Sequence, residues 1–261
     1  MLDRWLVSEL DRALASVAAD PPSGLVLASA SPRVFVAGAD LAEIDALDDA
    51  GLEDYLAQGA ACFRRLLDLP CPTAAVIHGA ALGGGLELAL FCDGLGFLAT
   101  AEGAKPYLVG LPEASLGICP GWGGTQTLPA RIEPSLAIAR TASGTPWKSH
   151  ELPAGLADFS AASLEELHTA AAEWIAAHPE APSRRPRALG AGARETIEAA
   201  IAAAGLASCE PLTPPAAVVA AVRAGVAGGF DAGLREERAR LIELRTTEPT
   251  RARIRAFLNK S

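Results

Sequence analysis

The chain is short of positive charge. Only 22 lysines and arginines stand against 31 aspartates and glutamates over 261 residues, a formal net charge of −9, so a basic surface that tracks nucleic-acid phosphates is not expected. The five cysteines, Cys62, Cys71, Cys92, Cys119 and Cys209, are odd in number and scattered, with no C-x-x-C pair. That argues against a disulfide framework and against a zinc site. The histidines, His78, His150, His168 and His178, lack metal-ligand spacing, and His78, just before Gly79 at the end of an apolar run, reads as a core or strand-edge histidine. Apolar runs are too short and too interrupted to span a bilayer. No basic segment followed by an apolar stretch opens the chain, no period of 20 to 50 residues repeats, and no G-x-G-x-x-G follows a strand. These absences predict a soluble, cytoplasmic protein with no membrane or nucleic-acid partner and no metal, acting on small molecules. Its length suits one large domain or two small ones.

What is present is concentrated between Pro72 and Arg131. Thr73 to His78 is a short apolar run with β-branched residues, bounded by Pro72 and Gly79, which predicts a buried strand. Gly83, Gly84 and Gly85 follow; without a Cβ the backbone can turn sharply and present N–H groups to a ligand. Leu86 to Cys92 reads as the opening of a helix, whose first N–H groups lack intrahelical partners and favour negative charge. Glu87 lies among Leu86, Leu88, Ala89, Leu90, Phe91 and Cys92, so burial is expected. Glu113 lies between Gly110-Leu111-Pro112 and an apolar run from Ala114 to Ile118 that contains no basic residue. Burial raises the pKa of a carboxylate lacking a partner, and two such carboxylates beside a glycine turn suggest acid/base work.

The remaining pattern alternates strand and helix. Apolar positions Leu2, Trp5, Leu6, Leu10, Ala13, Leu14 and Val17 predict an opening helix over 2–18. Leu25 to Ser29 and Val34 to Val36 are strand-like, and Ala37 to Asp40 is a turn before a further helix. Leu52, Tyr55, Leu56, Cys62, Phe63, Leu66 and Leu67 predict a helix ending at Leu69-Pro70. Phe97 to Ala99 is a strand and 101–107 a loop. After Thr125 the chain reads as mostly helical, with helices over 134–142 and 163–178, an exposed linker over 179–187, and further helices to the end.

The run Ala81-Leu82-Gly83-Gly84-Gly85-Leu86-Glu87-Leu88-Ala89, followed by Gly110-Leu111-Pro112-Glu113, Leu116-Gly117-Ile118 and Pro120-Gly121-Trp122-Gly123-Gly124-Thr125-Gln126, resembles the crotonase superfamily of enoyl-CoA hydratases and isomerases. Leu212 to Leu258 looks like the tail of the hydratase part of multifunctional fatty-acid oxidation α-subunits. The resemblance implies an α/β fold: a crotonase-like ββα spiral core over 1–160 and a helical C-terminal region over 161–261 that serves oligomerisation and covers the active site. In chain order it differs in two ways. Met1 directly precedes the first helix, so the opening hairpin is not expected, and without a G-x-G-x-x-G fingerprint neither is the dehydrogenase part; Glu113 follows Glu87 by 26 positions, further than in the simplest hydratases.

By the same resemblance the N–H groups of Ala39 and Gly84 form an oxyanion hole for the thioester oxygen. Glu87 activates water and Glu113 delivers a proton, while Ala37, Asp40, Leu41, Leu82, Gly83, Pro112, Gly121 and Trp122 contact substrate. The implied reaction is hydration of a 2-enoyl-CoA in β-oxidation, with Δ3-Δ2-enoyl-CoA isomerisation or an idle CoA-binding protein as alternatives. No cofactor is implied, since coenzyme A is part of the substrate, and a homotrimer or hexamer is.

Overall fold

A computed structural model of the chain describes residues 1–184 and 189–259. In chain order, α1 (Arg4–Ala19) leads to β1 (Leu25–Leu27), β2 (Val34–Val36), α2 (Leu41–Ala46) and α3 (Asp49–Asp68). Next come β3 (Thr73–Ile77), β4 (Ala80–Leu82), α4 (Gly84–Leu90), β5 (Gly94–Leu98) and β6 (Leu108–Gly110). A 3-10 turn (Glu113–Leu116), α5 (Gly124–Thr127), α6 (Pro134–Ser143), β7 (Trp147–Lys148), β8 (Phe159–Ala161) and α7 (Leu164–Ala177) follow, and α8 (Arg194–Ala203), α9 (Pro214–Gly228), α10 (Phe230–Arg245) and α11 (Glu248–Leu258) close the chain.

The strands form two sheets, ordered β1-β3-β5-β8 and β2-β4-β6-β7. Pairings in the first are parallel, with Leu25 opposite Thr73, Ala74 opposite Gly94 and Gly96 opposite Phe159; in the second only β6–β7 is antiparallel. From β1 to β6 successive strands go to alternate sheets, so β1/β2, β3/β4 and β5/β6 are three turns of a spiral, each placing one strand in each sheet. This is the α/β spiral with a helical C-terminal region that the motifs implied. Residues of β3 are buried on both faces, as its unbroken apolar run requires.

Local signals explain the helices. Asp3, Asp40 and Asp48 cap α1, α2 and α3 with side-chain oxygens, and Ser163 with Glu166 makes a capping box on α7. The predicted apolar stripe of α3 is buried through Leu52, Tyr55, Leu56, Cys62, Phe63 and Leu66. Few aromatics are available, but they cluster: Trp122 meets Tyr55 and Phe63 edge-on at centroid distances of 5.4 and 5.2 Å, and Phe63 meets Phe91 at 5.7 Å.

Several elements differ from expectation. β4, β6, β7 and β8 carry two or three residues each, too few for alternation to register. β5 starts three residues earlier than Phe97 because Gly94 and Gly96 disguise it; a Cβ there would strike Trp174 at 2.8 Å and the Phe159 ring. α4 starts at Gly84 rather than Leu86, and β1 stops at Leu27. On α1, Leu2 falls outside the helix and is buried, whereas Trp5 is 70% exposed. Of the expected linker, 181–184 form a 3-10 turn and 185–187 lie outside the described residues. His78 is buried, its Nε2 bonded to the Ser31 carbonyl at 2.6 Å.

Candidate active site

The glycine turn sets the geometry. Gly83 has φ +53°, a left-handed conformation that favours glycine, and its N–H donates to the Gly110 carbonyl at 2.9 Å, tying the β4–α4 corner to β6. A Cβ on Gly83 would come within 2.8 Å of Glu113 Oε1, and one on Gly84 would collide with the Trp122 ring. The absence of side chains therefore lets the Glu113 carboxyl and the indole close on the start of α4. Gly84 is the first residue of that helix, where N–H groups lack intrahelical acceptors.

The second corner is Gly38-Ala39, also on a positive φ of +101° at Gly38. It is held from behind by the first residues of the chain. The Leu2 N–H donates to the Gly38 carbonyl at 2.9 Å, and the Asp40 N–H donates to the Leu2 carbonyl at 3.4 Å. This is a parallel bridge centred on Ala39, in which the N–H of Ala39 itself points away from Leu2. A Cβ built on Gly84 would lie 3.5 Å from Ala39 N, so the two corners are neighbours. Tyr55, from α3, donates its hydroxyl to the Leu2 carbonyl and completes the support.

Glu87 lies one turn into α4 and is 1% exposed. Its Oε1 accepts from the N–H groups of Trp122 at 2.8 Å and Gly124 at 2.9 Å. Glu113 opens the 3-10 turn and is buried, and among the described residues its Oε2 has no hydrogen-bond partner. Burial pushes Glu113 up to about 8. Glu87 is pushed well above the usual carboxylate range, first by burial and then by the charges of Glu113 and Glu237. Two buried carboxyls this close cannot both ionise cheaply. The pair N–H bonds at Glu87 favour charge there, and the bare Oε2 of Glu113 favours a proton.

Both carboxyls face one cavity of about 460 Å³. Ala39, Gly84, Glu87 and Glu113 line it together with Ala37, Leu41, Leu82 and Gly83, and with Pro112, Gly121 and Trp122. Asp40 is turned aside: its Oδ1 accepts from Ala42 N at 2.8 Å and Glu43 N at 3.3 Å as the cap of α2. Met1 and Phe257, close to the two ends of the described residues, line the cavity as well. Among the described residues no group of three or more His, Cys, Asp or Glu is arranged to hold a metal ion, and no helix is long and apolar enough to cross a membrane.

One residue at this site was not anticipated. Glu237, on α10, is fully buried and accepts from Gly123 N at 2.6 Å, Thr125 N at 2.7 Å and the Thr125 hydroxyl. Burial pushes it up to about 7, and those donors pull the other way. Its basic neighbour Arg238 pairs with Glu53 instead, at 3.2 Å. The sequence around it, Arg235-Glu236-Glu237-Arg238, has the look of a solvated charge run. The available signal was phase: Phe230, Leu234, Leu241 and Leu244 form the apolar stripe of α10, and Glu237 occupies the missing place in it.

An interleaved two-sheet spiral, with paired glycine corners and two buried glutamates on one apolar cavity, defines a crotonase-type protein. A family model described as enoyl-CoA hydratase/isomerase matches residues 1–208, and the chain belongs to that family. Over 121 residues, 45% of this chain, it is 48% identical to the fatty acid oxidation complex subunit alpha of Vibrio campbellii and to that of Vibrio vulnificus. The matched stretch spans 17% of the length of those relatives. Among solved structures, human mitochondrial delta3-delta2-enoyl-CoA isomerase aligns at TM-score 0.69 with 22% identity, covering 99% of this chain and 88% of the other. Enoyl-CoA hydratase from Bacillus halodurans aligns at 0.70 with 21% identity, covering 98% and 90%. At such identities these two likenesses speak to the fold.

Proposed function

We propose that the chain hydrates 2-enoyl-CoA thioesters to 3-hydroxyacyl-CoA. The observation that carries this reading is the pair of buried carboxyls, Glu87 and Glu113, on one apolar cavity beside the Gly38-Ala39 and Gly83-Gly84 corners. In a 2-enoyl thioester, attack of water at C3 moves negative charge onto the thioester oxygen. The N–H groups of Ala39 and Gly84 are the donors for that oxygen, and losing one such donor costs roughly 10²–10³ in rate. Glu87, ionised and held by two N–H groups, orients water and takes its proton. Glu113, protonated at neutral pH and carrying an unpartnered oxygen, gives a proton to C2. Coenzyme A enters as part of the substrate, and the pathway implied by the Vibrio relatives' name is fatty-acid oxidation.

Isomerisation of a 3-enoyl thioester is the second reading, favoured by the free Oε2 of Glu113: a single carboxyl near the substrate can take a proton from C2 and return it to C4. Measuring crotonyl-CoA hydration and 3-enoyl-CoA isomerisation on the wild type, Glu87→Gln and Glu113→Gln separates the two. Hydration requires both carboxyls, whereas isomerisation is abolished by Glu113→Gln and largely spared by Glu87→Gln. A wild type that binds CoA thioesters and catalyses neither reaction overturns both readings and leaves a binding protein. We also propose a trimer-based assembly, which light scattering giving only monomer at micromolar concentration would refute.

A further inference from the structure

Four successive N–H groups, from Trp122 to Thr125, are shared alternately between two carboxylates. Trp122 and Gly124 donate to Glu87 Oε1 at 2.8 and 2.9 Å, while Gly123 donates to Glu237 Oε2 at 2.6 Å and Thr125 to Glu237 Oε1 at 2.7 Å. An alternation of this kind fixes the peptide planes of the segment as a unit: the N–H groups serving Glu87 hold their direction because the intervening ones are held from the opposite side. We propose that Glu237 is a positioning residue that acts through the 122–125 turn to set the place of the Glu87 carboxylate. The kinetic consequence of this inference rests on the hydratase reading of Glu87; the structural consequence does not.

The surroundings of Glu237 support more than local capping. Gly233, Glu237 and Leu241 are spaced four apart and share a face of α10. A Cβ on Gly233 would fall on the Gln126 amide, one on Gly121 would lie 3.0 Å from Leu241 Cδ1, and Cys119 donates its thiol to the Glu237 carbonyl at 3.6 Å. A single helix face therefore seats the segment from 119 to 126. Gln126 fixes the direction of the chain of bonds. Its Nε2 donates to the Ala221 carbonyl of α9 at 2.9 Å and to Thr125 Oγ1 at 2.7 Å. The Thr125 hydroxyl hydrogen is thereby committed to Glu237. Gly225 makes room for the same amide on α9, where a Cβ would overlap Gln126 Oε1. Both oxygens of Glu237 accept, the pattern of an ionised carboxylate, so glutamine at this position keeps the volume and turns an NH₂ group against one of the backbone N–H donors.

The experiment compares the full wild-type chain with Glu237→Gln. Backbone amide exchange, read residue by residue by NMR, is expected to accelerate about tenfold or more at Trp122 and Gly124, whose N–H groups donate to Glu87, as well as at Gly123 and Thr125. Acceleration confined to Gly123 and Thr125 would reduce Glu237 to a local cap and overturn the proposal. In hydration assays Glu237→Gln is expected to lower kcat about 10²-fold with KM little changed, the size of loss that an ångström of misplacement produces. In a Glu87→Gln background that loss should largely disappear, because both changes then act on one missing group; fully additive losses overturn the proposal. A wild type without hydration or isomerisation activity overturns the functional reading alone, and the exchange pattern still decides the role of Glu237. If Glu237→Gln does not fold, Thr125→Val removes the hydroxyl's bond to Glu237 together with the acceptor for Gln126 Nε2, and leaves the four backbone N–H donors in place. Faster exchange at Trp122 and Gly124 in that variant supports the proposal, and unchanged exchange there overturns it.

Discussion

The Gly38-Ala39 and Gly83-Gly84 corners line the cavity with backbone, set by positive φ at Gly38 and Gly83 and braced by main-chain bonds from Leu2 and to Gly110, and in the proposed reaction it is their N–H groups that act. Glu87 and Glu113 offer the cavity side chains, and Glu87 is aimed by a turn that lies outside its own helix. The first part of the site is therefore vulnerable to added atoms, the second to removed ones. Its two parts also draw on different stretches of chain. The corners belong to the first two turns of the spiral, whereas the aim of Glu87 depends on a segment packed against α10.

The largest expected effect tests the side-chain part. Glu87→Gln or Glu113→Gln should each lower hydration by roughly 10²–10⁴-fold, as general acid/base groups do, with circular dichroism unchanged. The double variant should lose less than the product, since both act in one transition state. Next is the backbone part. Gly84→Ala places a methyl group against the Trp122 ring, and displacing one donor should cost roughly 10²–10³ in kcat. A loss of that size with both carboxyls intact would separate the two parts of the site; an unchanged kcat would remove Gly84 from it.

Titration gives a third contrast. Burial pushes the carboxyls of Glu113 and Glu237 up to about 8 and about 7, above the 4.5 of an unfolded glutamate. Between those values the folded chain binds more protons than the unfolded one, so stability contributed by these groups is greatest below about 4.5 and declines as pH rises through 7 and 8. Thermal melts of Glu113→Gln should lose part of that decline. With Glu113 as the proposed proton donor, hydration should likewise fall above about pH 8 as it loses its proton. Melts whose pH slope is identical in wild type and variant would show that Glu113 is not so perturbed. The smallest effect is expected far from the cavity. The Arg223–Glu198 pair between α8 and α9, at 2.7 Å, is about half exposed at both side chains, and Arg223→Ala should cost less than about 1 kcal/mol in chemical denaturation, with no change in kcat.

Much of this was legible in sequence because it is local. The glycine run at 83–85, the apolar neighbours of Glu87 and the basic-free stretch around Glu113 each announce burial or close approach within a few residues, and the structure brings Gly83, Gly84, Glu87 and Glu113 to one cavity. The helices α1, α3, α6 and α7 follow from apolar spacing and caps. What escaped is non-local or too short. β4, β6, β7 and β8 exist because a neighbouring strand pairs with them, and β5 carries glycines because Trp174 and Phe159 occupy the space. Asp40 sits in the predicted turn but caps α2, a competing use that a motif cannot display. Glu237 lies 150 positions beyond Glu87 and is disguised by charged neighbours; only its place on the α10 stripe marks it.

That Met1 and Phe257 both line the cavity has a practical bearing on how the protein is handled. Leu2 is already buried and bonded to the Gly38 corner, so residues fused ahead of Met1 start beside the cavity proposed to take substrate, and residues fused behind α11 start only a few positions from Phe257 on its lining. Assays are therefore best run after any added tag is cleaved off, and a fusion partner meant to stay attached belongs on an exposed internal stretch such as the loop around Gly103, where an added Cβ would meet nothing within 4 Å.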